Sequence, residues 1–291
     1  MEIKFADNNT IVTAQPDFEL RHIFDCGQCF RFLPTGDGEY TGVAYSKALT
    51  IKKADEKIIF FDTSPEDFKN IWYDYFDLGR DYGKIKEQIG GEGCMNRAID
   101  EGSGIRILKQ DLFETIISFI ISQSNNIPRI RKITETLCTL CGEKTEYRGK
   151  TYYAFPTPEA VLESDISVLH AGYRDKYIIS AAETVFRCPS FLDELKSADT
   201  ASAKKMLMQM TGIGNKVSDC ILLFGLGKTD SFPVDVWMKR IMEKLYFRRK
   251  CTIPEISSYA EQKFGEYSGF AQQYLFFYAL NHKSELSAEG F

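Results

Sequence analysis

Apolar and polar positions alternate in short runs over roughly the first 90 residues, and a helical repeat takes over after that. The runs Met1–Phe5, Ile11–Ala14, Cys29–Leu33, Glu39–Tyr45, Leu49–Lys53 and Lys57–Phe61 are parted by turn-forming clusters such as Asp7-Asn-Asn9 and Gly36-Asp-Gly38. Short runs between such turns predict an antiparallel sheet. Ser64-Pro-Glu-Asp67 then has the make-up of a helix start, and Phe68, Ile71, Trp72 and Phe76 follow at helical spacing as a core face.

From about residue 91 the period is helical. Phe113, Ile116, Ile117, Ile120 and Ile121 form one stripe, Ser122-Gln-Ser-Asn-Asn126 stops it, and Ile127-Pro128 opens a helix that runs to Cys141. Thr145 to Phe155 is polar and aromatic, in the manner of a small hairpin. Pro158–Glu163, Ile166–Leu169, Lys176–Phe186, Pro254–Phe264 and Gly269–Asn281 continue as helices. The pattern predicts an α+β chain: an N-terminal antiparallel β-sheet domain over 1–90, then a two-lobed all-α body over 91–291.

Composition alters this picture only in its charge. The 44% hydrophobic and 26% charged residues are ordinary for a soluble protein of 291 residues, long enough to bury a sizeable core. The start Met1-Glu2-Ile3-Lys4 is no signal peptide, and the most apolar helix, Leu112 to Ile121, contains Glu114 and is too short for a bilayer. A cytoplasmic protein without a membrane partner is expected, associated with the nucleoid if the source is prokaryotic. The net charge of −5 conceals an asymmetry: residues 201–250 carry +6, which leaves −11 on the rest. A local basic face suits phosphate contact even on an acidic protein. Cys26-x-x-Cys29 and Cys138-x-x-Cys141 have the spacing of a split zinc site. Cys138 and Cys141 lie at an apolar helix end stopped by Gly142, however, where cysteine packs as a small hydrophobe, and no metal ligation is expected.

One stretch stands apart chemically. Met210-Thr-Gly212-Ile-Gly214-Asn-Lys216 separates two helices, with glycines on both sides of one apolar residue. Glycines at that spacing turn the backbone tightly, and the helix that starts there points unpaired N–H groups and its positive dipole end outward. That is an anion site fit for a phosphate. A plain glycine turn between two core helices remains the alternative. Nineteen residues beyond Lys216 comes Phe232-Pro-Val-Asp235.

The run Thr211-Gly-Ile-Gly-Asn-Lys-Val-Ser-Asp-Cys220 followed by Phe232-Pro-Val-Asp235 resembles the helix-hairpin-helix Gly/Pro/Asp signature of base-excision DNA glycosylases. The 8-oxoguanine DNA glycosylase/lyase branch is the one it resembles. Asp25-Cys-Gly-Gln-Cys-Phe-Arg31, Ser122-Gln-Ser-Asn-Asn-Ile127, Gly172-Tyr-Arg174 and Gly269-Phe-Ala-Gln272 spread the likeness over most of the chain in the family's order. The resemblance implies a helix-hairpin-helix at about 204–224, and a cleft between the helical lobes holding Lys216 and Asp235. It implies excision of 8-oxoguanine from duplex DNA, opposite cytosine by preference, then strand cleavage through a lysine Schiff base. Lysine suits such work because a desolvated amine is a nucleophile. Asp235 would support charge at the sugar; as a bare sequence feature it reads as a helix N-cap, and both roles can coexist.

The base must leave the stack to reach these groups. By resemblance Cys220 and Phe276 sandwich it, Gln272 bonds its Watson–Crick edge, and the Gly27 carbonyl reads the lesion. 8-Oxoguanine carries a proton on N7 where guanine has a lone pair, so a carbonyl accepts from the first and repels the second. An ordinary turn at Gly27, a surface position for Gln272 and a core position for Phe276 are the plain structural alternatives. Arg129 and Arg174 match the readers of the orphaned cytosine, Tyr173 the wedge, and Gly212 with Gly214 the phosphate hairpin. Departures matter too. Phe224 stands where the animal enzymes line the pocket with methionine, Trp237 where they have histidine, and Ser124 where an asparagine commonly contacts the cytosine, although Asn125 and Asn126 remain.

No cofactor is required and no iron–sulfur cluster is expected, since Cys251 is the last cysteine. The hairpin carbonyls of Met208, Met210 and Ile213 offer a structural cation a place, as the resemblance suggests. A monomer acting on double-stranded DNA is the expected working form. A non-enzymatic helix-hairpin-helix DNA-binding module and an alkylated-base glycosylase, which generally lacks the lysine, are the competing readings.

Overall fold

The computed structural model describes residues 1–91 and 93–287. The first part is an antiparallel sheet of six strands among the described residues: β1 Glu2–Ala6, β2 Asn9–Thr13, β3 Leu33–Gly36, β4 Glu39–Ala44, β5 Lys47–Ala54 and β6 Lys57–Phe61, in the order β1-β2-β6-β5-β4-β3. Asp7 and Asn8 (φ 51° and 60°) join β1 to β2, and Tyr45 and Ser46 (φ 49° and 61°) join β4 to β5. Two successive positive-φ residues match the right-handed twist of a hairpin's strands. Alternation buries Val12, Ile58 and Phe60 on one face, against Phe68, Trp72 and Phe76. Phe68 and Trp72 come from a helical stretch over 65–75, wound as a π-helix at Phe68–Trp72, and Phe76 is the C-cap at its end; Ser64 caps its start by accepting the Asp67 N–H at 3.0 Å.

One predicted strand moves. The run Cys29–Leu33 is not a strand, and β3 lies at Leu33–Gly36, on the sheet edge where Pro34 needs no ladder donor. Cys29, Phe30 and Phe32 are apolar because they are buried between the sheet and the helices, not because they pair, and Arg31 among them is buried too. The short helix Leu20–Phe24 was invisible in the pattern, since five residues are too few to show a period.

The helical expectations hold closely, with helices at Leu112–Ser122, Ile127–Cys141, Pro158–Glu163, Asp175–Arg187, Thr200–Gln209, Asn215–Phe224, Ile253–Phe264 and Ser268–Asn281. The helices of 112–224 pack among themselves, while Gly93–Glu101 and the helices after 236 gather around Ser268–Asn281. These are the two lobes. Tyr82, Ile85 and Ile89 of the helix Tyr82–Ile89 join the helical core, whereas Leu108 joins the sheet core, so the chain returns to the sheet before the helices resume at Leu112. The excursion after Cys141 is a hairpin of β7 Lys144–Tyr147 and β8 Lys150–Tyr153. It reaches back to the sheet, where the Tyr147 hydroxyl accepts the Thr50 N–H at 3.0 Å and donates to the Phe61 carbonyl at 3.2 Å. Among the described residues no helix is long and apolar enough to cross a membrane.

Candidate active site

The hairpin has the geometry its glycines require. Helix Thr200–Gln209 ends at Met210, whose carbonyl accepts the Ile213 N–H at 3.2 Å. Gly212 has φ +85°, and a Cβ there would collide with the ring of Tyr177. Ile213 is buried between the two glycines, while Gly214 is exposed with open space around it. Gly214 is also the N-cap of Asn215–Phe224, so the free amides of that first turn face outward.

That helix then delivers three side chains to one pocket. Lys216, Cys220 and Phe224 are four residues apart, hence on one helical face. The Lys216 ammonium lies 5.4 Å from the centre of the Phe119 ring, which stacks on Phe224 at 5.4 Å and 13°. Burial pushes the Cys220 thiol up to about 11, while the charge of Lys216 pulls it down and that of Asp235 adds to the rise. Both catalytic candidates therefore converge on Cys220. Asp235 is the N-cap of Val236–Ile241 and its Oδ1 accepts the Met238 N–H at 2.8 Å.

Opposite stand residues from the other lobe and from the loop after Leu20–Phe24. Cys26, Gly27, Gln272, Gln273 and Phe276 complete the lining with Pro233. The cavity measures only about 40 Å³. Phe276 accounts for this, since its Cε1 lies only 3.0 Å from where a Gly27 Cβ would be. Gln272 is buried, and its Oε1 has no hydrogen-bond partner. An unpaired buried acceptor costs about 1–3 kcal/mol, a cost that an incoming N–H donor would remove.

The remaining candidates lie outside this lining. Ser124 is exposed and held in the left-handed region (φ 46°). Asn125 and Asn126 do structural work: Asn125 Nδ2 donates to the Ile121 carbonyl at 3.2 Å, and Asn126 Oδ1 caps the next helix by accepting the Arg129 N–H at 3.0 Å. Arg129 is exposed and donates to the His170 carbonyl at 3.2 Å. Arg174 is buried and donates to the carbonyls of Ala171, Gln123 and Ser124, with its guanidinium 4.5 Å from the Tyr173 ring centre. Tyr173 is 48% exposed and rests edge-on against Tyr177 at 5.7 Å. Trp237 is half-buried between the cations of Arg240 (4.8 Å) and Lys283 (5.8 Å).

Residues 10–116 match the family model of the 8-oxoguanine DNA glycosylase N-terminal domain, and residues 117–266 that of the HhH-GPD superfamily of base-excision DNA repair proteins. The chain belongs to the 8-oxoguanine DNA glycosylase/lyase family. A solved structure of MBOgg1 in complex with a low-affinity DNA ligand is 45% identical, covering 97% of this chain and 99% of that one at a TM-score of 0.94. The Clostridium acetobutylicum 8-oxoguanine glycosylase/lyase, solved with double-stranded DNA containing cytosine opposite 8-oxoguanine, is 40% identical over 97% of this chain and 99% of that one, also at 0.94. A probable N-glycosylase/DNA lyase of Methanothermobacter thermautotrophicus is 30% identical over 208 residues, 64% of this chain and 66% of that relative.

This glycosylase brings together Lys216, Asp235, Gly27, Cys220, Gln272, Phe276 and Phe224 in one cavity; Gly212, Gly214, Ser124, Asn125, Asn126, Arg129, Tyr173, Arg174 and Trp237 lie outside its lining. Sequence reasoning missed Phe119, Pro233, Cys26 and Gln273 as lining residues, and Tyr177 as the ring beneath the hairpin. Phe119 gave no signal, because Leu112–Ile121 is buried on every side, Glu114 and Ser118 included. Gln273 did give one, as a second glutamine within an otherwise apolar helix. Among the described residues no group of three or more His, Cys, Asp or Glu could hold a metal ion.

Proposed function

We propose that this glycosylase takes 8-oxoguanine out of duplex DNA with Lys216 as the nucleophile and Asp235 as the supporting carboxylate. Nζ of Lys216 attacks C1′ while the bond to N9 breaks, and the electron pair leaves with the base, which takes up a proton. Asp235 faces the positive charge that develops on the sugar and accepts a proton from the amine. The C1′ aminal then opens: the nitrogen lone pair forms C1′=N as the C1′–O4′ bond breaks and O4′ takes up a proton. This Schiff base acidifies C2′, and loss of a C2′ proton expels the 3′ phosphate by β-elimination. The observation that carries this reading is one small cavity lined by a lysine, a carboxylate and a glutamine with an unpaired buried oxygen. The N1–H and amino group of the flipped base would donate to Gln272 Oε1, its N7–H to the Gly27 carbonyl, and its faces would rest on Cys220 and Phe276.

On the other strand, Arg129 and Arg174 would present donors to O2 and N3 of the orphaned cytosine, with Tyr173 in the gap. Phosphates would lie on the amides at Gly212 and Gly214. A cation at the hairpin fits the residues present, since the Met210 carbonyl keeps a lone pair after accepting the Ile213 N–H. Such a cation would neutralise phosphate charge together with the carbonyls of Met208 and Ile213, and no other cofactor is proposed. The deciding experiment is borohydride trapping on an 8-oxoguanine·cytosine duplex. The wild type should give a covalent adduct; Lys216→Gln should lose both adduct and base excision while still binding DNA. A trapped adduct in the variant would remove Lys216 from the mechanism.

A further inference from the structure

Between Cys26 and Phe32 only Gly27 is not buried, and its φ of +77° turns its peptide out of line with its neighbours. The carbonyls on both sides of it are taken by glutamine side chains from remote segments. Gln273 Nε2 donates to the Cys26 carbonyl at 2.8 Å, and Gln110 Nε2 to the Gln28 carbonyl at 2.7 Å. The side chain of Gln28 fastens the base of the loop: its Nε2 donates to Ile23 (2.9 Å) and Arg106 (2.7 Å), and its Oε1 accepts the Leu108 N–H at 2.9 Å. Among the described residues no hydrogen bond is made to the Gly27 carbonyl.

Gln273 is only 1% exposed, on a helix where a leucine or methionine would pack as well. Placing an amide there is costly unless its bond matters. What the bond fixes is a peptide plane. A hydrogen bond weakens steeply once its angle falls below about 120°, so a reader that relies on one carbonyl needs that carbonyl held.

We infer that Gln273 and Gln110 are positioning residues for lesion discrimination: by occupying the Cys26 and Gln28 carbonyls they leave the Gly27 carbonyl between them free and hold it aimed at the base. This rests on the reading of Gly27 given above. Helix Ser268–Asn281 thereby serves recognition twice, through Gln272 toward the base edge and through Gln273 toward the loop.

The test uses Gln273→Met and Gln110→Met in the full chain. First, each is combined with Lys216→Gln so that duplexes stay intact, and Kd is measured for guanine·cytosine and 8-oxoguanine·cytosine duplexes. Second, each single variant is assayed for strand cleavage at a preformed abasic site, where there is no base to read. Preference for the lesion duplex should fall roughly tenfold in both variants, the worth of one hydrogen bond, with abasic cleavage by Gln110→Met, which lies outside the pocket lining, within about twofold of wild type. An unchanged preference, or abasic cleavage and Tm falling together while preference holds, overturns the inference and leaves both glutamines as packing. Should Gln273→Met fail to fold, the half-buried Gln110 decides. A wild type that neither prefers nor excises 8-oxoguanine would instead sink the proposed function itself.

Discussion

Asp235 has two jobs that substitution can separate. Its Oδ1 caps Val236–Ile241 through the Met238 N–H at 2.8 Å, and its charge lies in the pocket with Lys216. Asparagine keeps the capping oxygen and caps about as well as aspartate, losing only the charge–dipole part, about 0.3–1 kcal/mol. At a few degrees per kcal/mol for a chain of this size, Asp235→Asn should lower Tm by about 1–4 °C. Asp235→Ala loses the cap as well, about 0.5–2 kcal/mol, and should melt lower still. Activity should not follow that order. Both variants lack the negative charge opposite the developing sugar cation, and removing one such preorganised group costs roughly 100- to 1000-fold in rate. Single-turnover excision of 8-oxoguanine opposite cytosine, measured with Tm for all three proteins, separates the cases. Equal rate losses with unequal Tm losses support the catalytic role. An Asn variant that works within a few-fold of wild type, beside an Ala variant that fails in step with its stability, would refute it and leave Asp235 as a cap.

Other outcomes follow from the same geometry. Excision opposite C, A, G and T should favour C, and Arg129→Ala should erode that preference roughly tenfold with little change in Tm, since donors alone cannot satisfy adenine's amino group. Arg174→Ala should also lower Tm, because the carbonyls of Ala171, Gln123 and Ser124 lose their donor; equal rates across the four bases would show that neither arginine reads the orphan. Gly212→Ala should weaken DNA binding and stability together, because the new methyl meets the Tyr177 ring at a φ that favours glycine; normal affinity would contradict the hairpin's role. The hydrogen bond that His282 donates to Glu101, with Glu285 on the other ring nitrogen, raises the His282 pKa above 6.5. A raised folded value means the stabilisation is present in full below 6.5 and fades as pH climbs through the folded value. The Tm advantage of wild type over His282→Gln should therefore shrink on raising pH from 6 upward, and a constant difference would count against the pairing.

Much of this was written locally in the chain. Short runs between turn-forming clusters gave β1, β2 and β4 to β6, and the Ser64, Asn126 and Asp235 caps mark helix starts that the residue types alone suggest. The spacing of four that aligns Lys216, Cys220 and Phe224 is a property of the helix, and the Gly-Ile-Gly turn a property of glycine; neither depends on the rest of the fold. Tertiary packing decided what those groups face. Residues 29–32 look like a strand but are buried between two cores, which no local rule distinguishes. Arg174 reads as a free cation, yet three carbonyls claim it, because the loop at 123–124 happens to close over it. Phe119 beneath Lys216, the Phe276 ring against Gly27 and Gln273 on the Cys26 carbonyl join segments far apart in the chain. Turn and helix preferences act over a few residues. The closure of the base pocket depends on where the sheet core and the two helical lobes come to rest against one another.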